Sequence, residues 1–255
     1  MRYTLQVQYI GKNYAGSQIQ FENGIEIQTP TIQGELEKAI STLIFGDTEN
    51  NNRQLKTVFS GRTDRGVNSK GQIIHFDTDK PIVASKFVYQ LNEILPKDIS
   101  VSDLKQVDAS FHAQKSAKRR YYRYVFINRK CKNAFDGDLM RIKYDINIER
   151  MQNALNYLLG EHDFSSFKSS GTLNPSKVCF IEKAECKKDD DKVIIDIAGN
   201  RFLYNMVRTI VGTLLEIEGH NRSAEYMKQV LEACDRKKAG QTVSPYGLTL
   251  IKVEY

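Results

Sequence analysis

The sequence predicts an α+β protein made of two halves of the same order, β-α-β-β-α-β. They are joined around a central antiparallel or mixed sheet, with helices packed on one face. Three observations predict it. Apolar residues alternate with polar ones along several short runs, as in half-buried strands. Other runs place apolar residues three and four apart, as in helices. The order of these runs before Ala109 recurs after it.

In the first half, Tyr3, Leu5, Val7 and Tyr9 share one face of a strand over residues 2–10. Gly11 to Pro30 reads as loop, with Gly11, Gly16, Gly24 and several Asn and Gln. Ile32, Leu36, Ala39, Ile40, Leu43 and Ile44 then fall at helical spacing, with Thr31 as the cap and Gly46 as the stop. Asp47 to Gln54 is a polar loop. A short strand at 55–59 leads into a glycine-punctuated loop, and a second strand covers 72–77. Phe87, Val88, Leu91, Ile94 and Leu95 form another helix, ended by Pro96. Residues 99–107 read as a strand.

The second half runs in the same order. Residues 120–127 are a strand with Tyr122, Tyr124 and Phe126 on one face. Ile148, Met151, Leu155, Leu158 and Leu159 form a helix that starts at Asn147 and stops at Gly160. Strands at 177–187 and 193–198 flank the charged turn between Lys187 and Lys192. A strongly apolar helix carries Phe202, Leu203, Met206, Val207, Ile210, Val211, Leu214 and Leu215. An extra helix at 223–234 precedes a last strand at 248–253. Each half is thus the split βαβ, or ferredoxin-like, unit. The two halves repeat in pattern and not in sequence. RNA-recognition domains use this architecture to present a sheet to nucleic acid, although no RNP1-type run occurs here. The boundary falls near Ala109–Phe111, giving halves of 1–109 and 110–255.

With 255 residues and 40% hydrophobic content the chain can bury a sizeable core. No run approaches the ~18 apolar residues of a membrane span. The N-terminus enters a strand pattern directly and has no signal-peptide core. Cys131, Cys179, Cys186 and Cys234 are scattered and include no CxxC pair, which speaks against a zinc site and fits a reducing cytoplasm. No metal or cofactor is called for. The net charge of +6 and pI near 9.0 permit a polyanionic partner. Its distribution is more telling. Between Lys115 and Lys132 lie Lys118, Arg119, Arg120, Arg123, Arg129 and Lys130, with no acidic residue and with Tyr121, Tyr122 and Tyr124 interleaved. Cations attract phosphates and aromatic faces stack on bases. A solvated strand face is the plainer reading of the same run.

The chemistry centres on Ser60-Gly61-Arg62-Thr63-Asp64-Arg65-Gly66-Val67-Asn68-Ser69-Lys70-Gly71-Gln72-Ile73-Ile74-His75-Phe76. One carboxylate, Asp64, stands between Arg62 and Arg65, whose charges favour its ionised form. An ionised carboxylate on such a loop can act as nucleophile or base. A surface turn in which Asp64 bonds its own backbone is the competing reading. The spacing of Gly61 and Gly66 is also that of a P-loop, but Val67 stands where Lys should follow, which disfavours nucleotide hydrolysis.

The loop's Gly61-Arg62-Thr63-Asp64-x-Gly66-Val67, with Gly71-Gln72 and His75-Phe76 after it, resembles the signature of the TruA family of tRNA pseudouridine synthases. The resemblance continues through Phe111-His112-Ala113, through Ala117-Lys118-Arg119-Arg120-Tyr121-Tyr122-Arg123-Tyr124, and through Asn200-x-Phe202-x-x-x-Met206-Val207-Arg208-x-x-Val211-Gly212. Gly160-Glu161-His162-Asp163-Phe164 and Gly247-Leu248-x-Leu250 complete it, without an assigned chemical role. It implies isomerisation of uridine to pseudouridine in tRNA, at anticodon-arm positions 38–40, by a cofactor-free homodimer. It implies that Asp64 is the nucleophile and that Tyr122 stacks on the uracil and handles the C5 proton. It implies that Arg208 pairs with the catalytic carboxylate, and that Arg62 fills the space left by a flipped-out base. Lys118, Arg119 and Arg123 would hold RNA.

Three departures stand out. The family usually has Gly-Trp-Gln where this chain has Gly16-Ser17-Gln18. It has Gly-Val-His-Ala for Gly66-Val67-Asn68-Ser69, and Arg-Thr-Ile for Cys179-Phe180-Ile181. These are expected to lie where RNA is held, and so to bear on which RNA is the substrate. A related enzyme acting on ribosomal RNA and a non-catalytic RNA-binding protein are the alternatives; binding alone does not need Asp64, Tyr122 and Arg208 together.

Overall fold

The computed structural model describes the chain apart from residues 23, 24, 27, 47–54 and 171–175. Gly24 and the expected loop from Asp47 to Gln54 therefore lie outside the described residues. The chain divides into two compact units: Met1–Ala117 with Leu250–Tyr255, and Lys118–Thr249.

Unit 1 begins with β1 (Arg2–Tyr9), a 3-10 turn at Gly11–Asn13, and the paired short strands β2 (Phe21–Glu22) and β3 (Ile25–Glu26). Next come α1 (Ile32–Phe45), β4 (Thr57–Phe59), β5 (Asn68–Asp77), α2 (Ala84–Ile94) and β6 (Ile99–Val107). β1 lies between β6 and β5 and is antiparallel to both, and β4 pairs antiparallel with β5. This is the expected β-α-β-β-α-β order, with a small β2–β3 hairpin inside the stretch that reads as loop. The alternation in β1 has the expected cause: Tyr3, Leu5, Val7 and Tyr9 are all buried. They join Leu36 and Ile40 of α1, Leu91 of α2 and Ile74 of β5 in one core. Each such aliphatic side chain contributes about 2 kcal/mol by leaving water. The Thr31 hydroxyl accepts from the Gly34 N–H at 3.1 Å and caps α1, and Gly46 ends it at φ 83°.

Unit 2 contains β7 (Arg119–Asn128), a 3-10 turn at Ala134–Asp136, β8 (Arg141–Ile142), α3 (Ile148–Asn156) and β9 (Gly160–Asp163). β10 (Val178–Asp189), β11 (Lys192–Gly199), α4 (Met206–Gly219) and α5 (Glu225–Ala233) follow. β7, β11, β10 and β9 are successive antiparallel neighbours, and the parallel pairing of β8 with β7 makes the sheet mixed. α3 and α4 pack on strands β10 and β7. Burial of Tyr124, Phe126, Met151, Leu155, Ile195, Ile210 and Leu214 forms the core. The last strand is β12 (Leu248–Glu254).

Several boundaries differ from expectation. α3 ends at Asn156, short of Gly160, which opens β9 at φ 96°. α4 starts at Met206, four residues after Phe202. Asn205 stands before it in the left-handed region at φ 61°, a conformation that a helix interior excludes. The chain divides between Ala117 and Lys118, later than the expected 109/110 boundary. The segment between is held by unit 1. The Arg2 guanidinium donates to the Ala109 and Phe111 carbonyls, the Ala113 N–H donates to His75 Nδ1 at 3.1 Å, and the Phe111 ring lies 4.8 Å from that of Tyr255. β12 is expected in the second half, but from Leu250 onward it counts with unit 1. The Gly71 backbone there comes so close to Ile251 that a Cβ would collide with its carbonyl.

Candidate active site

Asp64 sits on the turn between β4 and β5 and is half-buried, with Arg62 and Arg65 exposed beside it. The turn is closed by the Val67 N–H donating to the Asp64 carbonyl at 3.1 Å, with Gly66 at φ 81°. Its N-terminal side is pinned from another part of the chain. Gly16 and Asp64 form an antiparallel bridge. The Ser17 N–H donates to the Thr63 carbonyl at 3.0 Å, and the Thr63 N–H donates to Ser17 Oγ at 2.8 Å. The Thr63 and Tyr9 hydroxyls lie 2.7 Å apart, and Gln72 Nε2 donates to the Gly61 carbonyl at 2.9 Å. Gly16, at φ 134°, brings its backbone so near that a Cβ would sit 3.0 Å from the Thr63 carbonyl oxygen. The loop is therefore an immobilised element and not a free surface turn.

In unit 2, the register of β7 against β11 sorts the tyrosines. Tyr122, Tyr124 and Phe126 oppose Ile197, Ile195 and Val193, and so share one face, as the alternation predicts. Tyr124 is fully enclosed, with its hydroxyl donating to the Ser244 carbonyl at 2.8 Å. Tyr122 is half-buried at the edge of that face, its ring packed edge-on against Phe202 at 5.1 Å. The cations of β7 have partners that the local run of sequence conceals. Arg123 forms a bidentate pair with Asp196 at 2.7 and 2.8 Å, and Arg119 pairs with Glu182 at 2.5 Å. Both acids come from neighbouring strands. Lys118, just before β7, is exposed.

Arg208 lies in the first turn of α4 and is half-buried. Its fork spans two oxygens: Nε donates to the Val243 carbonyl and Nη1 to Asn205 Oδ1, both at 2.8 Å. The left-handed Asn205 that delays the helix thus also turns its amide onto Arg208. Burial raises the Tyr124 phenol well above its ordinary range, against the opposing charge of Arg208 nearby.

Two of the three departures include a side chain closed off from water. Ser17 and Cys179 are buried, and burial raises the Cys179 thiol to about 11. Asn68 is half-buried, and its Oδ1 accepts from the Gly11 N–H at 2.9 Å. Ser17 and Asn68 serve the Asp64 loop itself, a role that no local pattern announces. Tyr9 and Gln72 carry a faint signal in the sequence: a hydroxyl and an amide on faces that otherwise read as apolar. Among the described residues no cluster of three potential metal ligands occurs, and no helix is long and apolar enough to cross a membrane.

A family model described as tRNA pseudouridine synthase matches residues 154–255. Over nearly the whole chain, the protein is 38% identical to the tRNA pseudouridine synthase A of Brevibacillus brevis, covering 97% of this chain and 96% of that one. The chain belongs to the tRNA pseudouridine synthase A family. With the relative from Anoxybacillus flavithermus, identity is 41%, covering 98% and 96% of the two chains. With that from Buchnera aphidicola it is 40%, covering 100% and 92%. Membership makes the protein an isomerase of the pseudouridine synthase class.

Proposed function

We propose that the protein isomerises uridine to pseudouridine in the tRNA anticodon arm, at positions 38–40, with Asp64 as nucleophile. The observation that carries this reading is the immobilised loop that holds Asp64 while leaving it half-exposed. The reaction breaks the N1–C1′ bond and forms C5–C1′. C5 loses its proton and N1 ends protonated, so no oxidant, reductant or external group is required. A carboxylate opens the route by attack on C6 of the base or on C1′ of the sugar.

The remaining roles follow the same reading. A stacked uridine must leave its stack, at a cost of a few kcal/mol. The exposed Arg62 suits the vacated space, because a planar guanidinium both stacks and binds phosphate. Tyr122, at the open edge of its sheet face, stacks on the uracil and takes the C5 proton. Arg208 supports the ionised carboxylate of Asp64. Lys118, Arg119 and Arg123 bind backbone phosphates, and the working form is a homodimer. In these terms the first half, to residue 109, supplies the nucleophile, and the second supplies Tyr122 and Arg208.

Asp64→Asn is close in shape but uncharged. Single-turnover conversion of a tRNA transcript should vanish while its binding stays within a few-fold. Retained conversion would remove Asp64 from this role. Conversion of ribosomal RNA fragments in preference to tRNA would overturn the substrate assignment.

A further inference from the structure

We propose that the buried hydroxyls of Tyr9 and Ser17, with the amide of Gln72, form a positioning network whose function is to aim the Asp64 carboxylate. The proposal rests on the reading of Asp64 as nucleophile.

The network converges on the residue immediately before Asp64. Thr63 is held at all three of its polar groups: its N–H by Ser17 Oγ at 2.8 Å, its carbonyl by the Ser17 N–H at 3.0 Å, and its hydroxyl by Tyr9 at 2.7 Å. Gln72 extends the hold one turn back. Its Nε2 reaches the Gly61 carbonyl at 2.9 Å and the Tyr9 hydroxyl at 3.5 Å, and its Oε1 accepts from Ser60 Oγ at 2.5 Å. Ser17, Ser60 and Gln72 are wholly enclosed, and Tyr9 and Thr63 nearly so. The Gly16 bridge then fixes the Asp64 backbone itself.

Buried hydroxyls and amides carry a desolvation cost that well-packed apolar side chains would avoid. Here that cost is met by hydrogen bonds, most of them to residues 60–63 or to one another. A fully satisfied buried network of this kind rigidifies what it holds. Burial also raises the Tyr9 phenol, so it remains a neutral hydroxyl across the working range. A reacting group must be held to within about 0.5 Å, and a shift of about 1 Å costs roughly 10²-fold in rate.

The test uses near-isosteric changes. Tyr9→Phe removes one oxygen without opening a cavity, and Thr63→Val removes its partner hydroxyl at constant shape. Each, like Ser17→Ala, should lower the single-turnover rate constant by roughly 10- to 100-fold, with RNA affinity and KM within two-fold. Thr63→Ser, which keeps the hydroxyl, should restore most of the rate, and Tyr9→Phe with Thr63→Val should be no slower than the worse single change. A purely structural role would lower the melting temperature while leaving the rate well below that temperature intact. Wild-type rates in folded Tyr9→Phe and Thr63→Val, alongside an inactive Asp64→Asn, would overturn the positioning role alone. An active Asp64→Asn would overturn the nucleophile reading and this proposal with it.

Discussion

The Asp64 loop and strand β7 both display charge, but they are held by opposite means. The loop is fixed by neutral hydroxyls and amides that water does not reach: Tyr9, Ser17, Ser60, Thr63 and Gln72. Two cations of β7 are held by carboxylates at a partly exposed surface: Arg123 by Asp196 and Arg119 by Glu182. A neutral buried network is little affected by salt and rigidifies what it holds. A partly solvated ion pair contributes about 0–1 kcal/mol and exchanges partners readily. The first arrangement suits a group that must be aimed before substrate arrives. The second suits groups that trade a carboxylate for a phosphate on binding.

The largest effect that would break this contrast lies at Gly11. A Cβ there collides with the Val67 carbonyl, just past the Asp64 turn, and the Gly11 N–H is the donor to Asn68. Gly11→Ala should cost about 3 kcal/mol, the upper end for overpacking, and reduce the rate more than any single hydroxyl deletion. A normal melting temperature and rate would show that the loop is less rigid than its hydrogen bonds imply.

A smaller effect tests the other side. Asp196→Asn releases Arg123 from its bidentate partner. Binding to all RNAs should tighten a few-fold, and the salt dependence should steepen by about one unit of slope per phosphate gained. Lys118→Ala should act in reverse, flattening the slope by a similar amount. Unchanged slopes in both would mean that neither Arg123 nor Lys118 meets RNA.

The smallest effect concerns acid. His75, facing Arg2, His112 and Asp77, is lowered to about 4, chiefly by burial and next by the Arg2 charge. The unfolded chain binds that proton near pH 6.5, so between about pH 6.5 and 4 the unfolded state holds more protons. Stability should therefore be full above that window and fall as pH drops through it. The hydroxyl network adds no such dependence. Melting curves of His75→Gln should show a flatter acid limb, and an unchanged limb would assign the acid sensitivity to other groups.

The sequence by itself did not determine the short strands β2, β3, β8 and β9, but it determined the order of the longer helices and strands, the caps at Thr31 and Gly46, the helix start at Asn147 and the loop that carries Asp64. These are local properties: periodicity, capping chemistry and a motif read within a few residues. Only the tertiary structure decided what each charged group faces. The acids that neutralise β7 lie more than 60 residues away, at Glu182 and Asp196, so a run without acids looked more open to phosphate than it is. Ser17 reads in sequence only as a departure from the family pattern, and the structure makes it the buried clamp on Thr63. The segment 110–117 went to unit 1 because His75 and Arg2 hold its backbone, which no composition shift records. Hydrogen bonds and ion pairs of this kind are made across strand registers and chain returns. Their partners are set by which strands and loops pair, and no window of sequence contains both ends.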